Sequence, residues 1–192
     1  MSNIDTSTTI FNKHYNIPIA VAPSGYQKLA GFNGEVDVAR AAWALGTNFT
    51  LSSSSTTALE DVAACLPERG AEYPRPWFQL YLMRSREFAE QLIKRVEAHG
   101  YEALVLTVDT VVLGNRIHER REPLKLPDGI GRANMAGGKA GGTSKGRLVL
   151  NAKTAKEAKA VEAEYHDSLV ENTITFDSVV PWLRSQTTFS SS

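Results

Sequence analysis

Four short apolar runs in this chain end in groups that can hydrogen-bond. Residues 17–22 run into Pro23-Ser24-Gly25, and residues 49–51 run into Ser52-Ser53. Residues 77–81 carry Gln79 and Tyr81, and residues 103–108 hold Thr107 just before Asp109. Small, hydroxyl and amide groups at the C-terminal ends of successive buried strands are the chemistry of a ligand-binding edge. One such strand end alone reads as an ordinary turn, where Ser, Asp, Gly and Pro are common. Gln79 and Tyr81 are different. They are two residues apart in an otherwise apolar strand, so alternation puts both on one side.

Other chemistries fail on spacing. Gly141 and Gly146 are set as in a phosphate loop, but Arg147 follows where the lysine belongs. Gly129 and Gly131 begin a dinucleotide pattern, and Asn134 stands where its third glycine should be. Neither stretch directly follows a strand or opens a helix, which both motifs require. The four histidines, His14, His99, His118 and His166, show no metal-ligand spacing. No His or Asn is placed to activate the single cysteine, Cys65, which reads as a small core residue.

Elements between the runs position these groups. The runs are short, β-branched or aromatic, and nearly continuous in apolarity, as in strands buried on both faces. Asn33 is placed to cap a helix with Glu35 and Asp37 in its first turn, where negative charge suits the dipole. Val38, Ala41, Ala42 and Leu45 give its apolar spacing and Gly46 its end. Thr57 and Glu60 have the spacing of a capping box that opens a second helix. Ser85 opens a third, with Ala89, Leu92, Ile93 and Val96 as its stripe and Gly100 as its stop. Strand starts near 17, 48, 77 and 103 are one βα unit apart, so the fold class is α/β with a parallel sheet. A βα barrel and an open doubly wound sheet share this signature.

Past residue 110 the period stops. Residues 128–147 hold seven glycines in twenty positions and read as a long structureless loop. Residues 151–167 read as a solvated helix, and residues 178–184 as a buried one with Pro181 in its first turn.

The chain has 192 residues, enough for one well-cored domain, with 42% hydrophobic and 22% charged residues. Its 21 basic and 21 acidic side chains balance, which gives no electrostatic reason to expect a nucleic acid partner. One cysteine excludes an intrachain disulfide scaffold. No apolar run reaches the roughly 18 residues of a transmembrane segment, and residues 1–9 are polar. An intracellular, cytoplasmic protein is expected, with peroxisome and mitochondrion as alternatives.

Taken in order, Pro18-Ile19-Ala20-Val21-Ala22-Pro23, Gly34-Glu35, Leu51-Ser52-Ser53, Trp77-Phe78-Gln79-Leu80-Tyr81 and Leu106-Thr107-Val108-Asp109 with Gly114 and Arg116 carry a resemblance. The chain resembles the FMN-dependent α-hydroxy acid oxidase/dehydrogenase family, which includes glycolate oxidase, lactate oxidase and the cytochrome-type lactate dehydrogenase. The match covers residues 9–126 and resumes weakly at 176–187.

The resemblance implies a partial TIM barrel: the first four βα units and a long Gly-rich loop after strand four. It implies one truncated domain over 1–192, with a core match at 9–126, a variable loop and surface helix at 127–172, and the helix before a missing fifth strand at 173–189. It implies FMN along Pro23, Ser24 and Gly25, with Ser52, Gln79 and Thr107 bonding the flavin. Tyr81 and Arg116 would hold a small 2-hydroxy acid, Arg116 against its carboxylate, a role suited to a planar, permanently charged guanidinium. The family's catalytic base, its strand-five lysine and its second arginine would all lie beyond residue 192. Val111 stands where a proline is usual, and Ser54 where relatives often carry a bulky aromatic.

These expectations make the chain an oxidoreductase by family, a flavoprotein that converts 2-hydroxy acids to 2-oxo acids. As a fragment it is expected to be inactive. The alternative is a non-catalytic half-barrel that forms a homo-oligomer or docks onto a full-length relative. A weaker option is a different phosphate-binding βα barrel, which would need no flavin.

Overall fold

The structure is a computed structural model, and it describes residues 4–67, 74–110, 117, 126–135, 152–164 and 170–189. A short antiparallel hairpin comes first, β1 (Thr8–Ile10) with β2 (Lys13–Tyr15). Then follow α1 (Glu35–Leu45), β3 (Thr50–Leu51), α2 (Leu59–Ala64), β4 (Trp77–Leu80), α3 (Arg86–Ala98) and β5 (Ala103–Leu106). Two further helices are α4 (Ala155–Glu164) and α5 (Phe176–Gln186).

β3, β4 and β5 form a parallel sheet in chain order, with Leu51 opposite Phe78 and Gln79 opposite Val105. The expected first strand is reduced to one parallel bridge, Val21 to Phe49. The amide of Val21 donates to Asn48, and that of Thr50 donates to the carbonyl of Val21. Pro18 lacks an amide hydrogen, so this run has one ladder donor fewer than its length implies.

The core lies between the sheet and its helices. Phe49, Leu51, Phe78 and Leu80 pack against Ala39 and Ala42 of α1, Leu59 and Val62 of α2, and Leu92, Ile93 and Val96 of α3. A large side chain taken fully out of water contributes about 1.5–3 kcal/mol, so this cluster fixes how the strands align. α3 buries the expected Ala89, Leu92, Ile93 and Val96, and the Ser85 hydroxyl accepts from the Phe88 amide as its cap. Gly46 ends α1 in the left-handed conformation at φ 65°.

Two other caps differ from expectation. Gly34 precedes α1, and the Asn33 side chain bonds the Asp37 carboxylate instead. α2 starts at Leu59 without a cap of its own, because the Thr57 hydroxyl is drawn to Glu35.

The hairpin sits at the N-terminal strand ends. Phe11 meets Trp77 edge-on at 5.5 Å, and Lys13 pairs with Glu102 at 3.6 Å. Near the C-terminus, Thr175 and Ser178 form a capping box that starts α5 early, so Pro181 falls inside the helix and not in its first turn. Val179 of α5 packs with Leu82 and Ala89, and the Arg86 guanidinium lies 4.5 Å from the Trp182 ring. α4 buries none of its described residues, as expected of a solvated helix. Among the described residues, no helix is long and apolar enough to cross a membrane.

Candidate functional site

The C-terminal ends of β3, β4 and β5 carry one hydrogen-bonded line of neutral groups. Gln79, in β4, is 2% exposed. Its Oε1 accepts from both the amide and the hydroxyl of Ser53, each at 3.1 Å. Its Nε2 donates to Oγ1 of Thr107 at 2.9 Å. The amide is therefore fixed at both ends. The Thr107 hydroxyl, having accepted, keeps its own proton to donate. Parallel pairing brings this about: the Thr107 amide bonds the Leu80 carbonyl, continuing the β4–β5 ladder past Leu106.

The predicted Ser52 is buried beside this line. Its Oγ accepts from the Ser54 amide at 3.1 Å, and Ser53 is the residue that reaches Gln79. The chain turns sharply after Leu51, so strand alternation does not carry past that residue.

Pro23 and Ser24 are exposed next to this edge, and Gly25 packs close to it. A Cβ at Gly25 would lie 3.2 Å from both Cβ and the carbonyl oxygen of Ser54. Glycine is thus what lets the first strand's end approach the loop after β3. The Tyr26 amide donates to the Ser54 carbonyl, and Tyr26 itself takes a left-handed conformation at φ 57°. Tyr81 is half-buried one residue past β4. Arg116 lies outside the described residues.

Two residues that the sequence reading missed hold the loop after β3. Glu35 is 0% exposed. Its carboxylate accepts from the Thr56 amide at 2.7 Å, the Thr56 and Thr57 hydroxyls at 2.7 Å, and the Gln27 amide at 3.3 Å. Burial pushes its pKa up, but the bonds from Thr56 and Thr57 outweigh that and hold the carboxyl below its ordinary value.

Asn134 is 1% exposed and comes from the segment expected to be structureless. Its Oδ1 accepts from the Leu59 amide at 2.9 Å and so caps α2 from 75 residues away. Its Nδ2 donates to Oγ of Ser55 at 2.7 Å, and the neighbouring Ala133 amide bonds the Ser55 carbonyl. Ala133 and Asn134 are thereby pinned to the site loop.

The described histidines are remote from this edge. His14 lies on the hairpin, and His99 ends α3 with Nδ1 2.8 Å from the Arg95 carbonyl. Among the described residues, no three His, Cys, Asp or Glu side chains gather as a metal site. The Ser53–Gln79–Thr107 line is neutral and holds both donors and acceptors. That suits a flat heteroaromatic ring with mixed donors and acceptors along its rim, so the residues present fit a flavin.

Comparison with known proteins gives the family. Residues 1–190 match the family model described as FMN-dependent dehydrogenase. The chain is 34% identical to 2-hydroxyacid oxidase 1 of Mus musculus over 187 residues, 97% of this chain and 47% of that one. It is 41% identical to 2-hydroxyacid oxidase of Dictyostelium discoideum over 130 residues, 68% of this chain and 32% of that one. A crystal structure of mandelate oxidase with (S)-4-hydroxymandelic acid superposes with a TM-score of 0.71 at 31% identity, covering 98% of this chain and 47% of that one. The chain spans about a third to a half of the length of these relatives. It belongs to the FMN-dependent dehydrogenase family, whose cofactor is FMN.

Proposed function

We propose that this chain supplies the flavin-facing half of a 2-hydroxy acid oxidoreductase site, as the first part of a TIM barrel. The observation that carries the reading is the Ser53–Gln79–Thr107 line across three parallel strand ends. Pro23, Ser24 and Gly25 would lie along the ring, with Ser52, Gln79 and Thr107 bonding its edge. FMN, when bound, supplies the two-electron acceptor for the oxidation of a 2-hydroxy acid to a 2-oxo acid. Tyr81 and Arg116 would orient the substrate, Arg116 through its carboxylate. The domain would divide into a core over 9–126, a variable loop and surface helix over 127–172, and, over 173–189, the helix that precedes the barrel's fifth strand.

Among the described residues the two histidines, His14 and His99, stand away from the site edge, and our reading is that the chain by itself holds substrate without removing its proton. Anaerobic mixing of the FMN-loaded chain with glycolate, lactate or mandelate tests this. The expected result is a perturbed flavin spectrum without bleaching. Bleaching would show a base within these residues, and an unchanged spectrum would remove the substrate role.

A second reading is a non-catalytic half-barrel that self-associates or docks onto a longer relative. It rests on the sheet's two outer edges, where Ile19 beside the first strand and Val108 past β5 are exposed apolar residues. Unpaired edges favour association. Light scattering of the purified chain distinguishes a defined dimer from a monomer.

A further inference from the structure

We propose that Glu35 is the positioning residue of the flavin edge: its buried carboxylate ties the turn after Pro23-Ser24-Gly25 to the loop after Ser52-Ser53 and so sets their spacing. The inference rests on the flavin reading and deepens it.

The bonds run to two separate segments. The Gln27 amide opens the short 3-10 turn Gln27–Leu29, which follows Gly25 and Tyr26. Thr56 and Thr57 close the loop that begins at Ser52. Two direct bonds also link the same segments, from the Lys28 amide to Oγ1 of Thr56 at 3.2 Å and from the Tyr26 amide to the Ser54 carbonyl at 3.3 Å. Neither segment belongs to an α-helix or a paired strand at these points, and among the described residues the carboxylate is the one group that accepts from both.

The donors around Glu35 are two backbone amides and two hydroxyls. No ion-pair partner for Glu35 occurs among the described residues. A charge taken out of water without a cation is costly unless its lone pairs are filled, and charge-assisted bonds are about twice as strong as neutral ones. An apolar residue or a helix-dipole acid on the surface would serve α1 at least as well. The placement of Glu35 makes sense as a clamp between the segments on either side of Gly25 and Ser54, which approach within contact distance. Gly34, at φ 53°, supports it: a Cβ there would sit 2.7 Å from Cγ of Lys28, so the helix start lies directly under the turn.

The test compares Glu35→Gln with the unaltered chain in two measurements, amide hydrogen exchange and FMN titration. Exchange of the Gln27 and Thr56 amides should rise by about tenfold together, and by more than that of Leu92 and Ile93 in α3, whose rise reports the loss of global stability alone. FMN affinity should fall by about tenfold. Val96→Ala, a cavity in α3, controls for stability and should leave FMN affinity within twofold despite a larger loss of global stability. If Glu35→Gln does not fold, Thr57→Val keeps the carboxylate, removes one donor and carries the same two expectations.

Exchange that rises in one segment alone overturns the clamp. So does FMN affinity that follows global stability equally in Glu35→Gln and Val96→Ala. If the unaltered chain binds no FMN, the flavin reading fails, and the exchange measurement still decides whether Glu35 joins the two segments.

Discussion

Gln79 and Thr107 stand on neighbouring parallel strand ends and are joined by a 2.9 Å bond from the amide nitrogen of one to the hydroxyl of the other. Ser53 holds the opposite end of the same amide. Three strands thus present one fixed set of polar atoms. The Gln79 amide is thereby fixed in one orientation, and preorganisation of that kind would lower the cost of binding in the proposed flavin site.

Replacing Gln79 by Leu removes both ends of this line while keeping the size of the side chain. The Ser53 amide and hydroxyl lose their acceptor in a buried place, at a cost of about 1–3 kcal/mol. FMN affinity should fall more than tenfold. Equilibrium binding by flavin fluorescence checks the affinity, and urea unfolding checks the stability cost.

Asn134→Ala should destabilise the chain by about 1–3 kcal/mol, because α2 loses its cap and the Ser55 hydroxyl loses a buried partner. A lower urea midpoint with unchanged slope is expected. A midpoint equal to that of the parent would mean that Ala133 and Asn134 are not docked on the loop in solution.

How far was this legible from the chain itself? The parallel α/β order was, because continuous apolar runs such as 77–81 alternate with a stripe as regular as that of α3. Gln79 stood out as a polar residue in a buried strand. Ser53 stands at the same strand end as Ser52, but the resemblance assigns the flavin contact to Ser52, and which of the two reaches Gln79 depends on the turn after Leu51 and not on alternation. Glu35 read as a first-turn acid that suits the dipole, and only its burial shows that Thr56, Thr57 and Gln27 hold it. Asn134 was hidden by distance: its partners are Ser55 and Leu59, and the glycines around it signalled an unpinned loop. The first strand was overestimated because pairing depends on neighbours that an apolar run does not reveal.

Acid should weaken the fold through Glu35. Its folded pKa lies below the ordinary 4.5, so its contribution is present above that value and is lost as pH falls through the folded value. Urea midpoints should therefore drop below about pH 4.5, and Glu35→Gln should flatten that part of the profile. An identical acid profile in the variant would place the sensitivity elsewhere.

Gly46→Ala should cost about 1–2 kcal/mol. The residue sits at φ 65°, and an added Cβ would collide with Nδ2 of Asn16, which bonds the Leu45 carbonyl. Thermal unfolding measures the loss.

The most direct measurement is an FMN titration of the purified 192-residue chain beside its Gln79→Leu variant, with urea unfolding of both. Saturable binding of one FMN per chain, weakened more than tenfold in a variant that still folds, is the predicted result. No saturable binding by a folded parent chain, or equal affinity in the two proteins, would contradict a flavin site built on Ser53, Gln79 and Thr107.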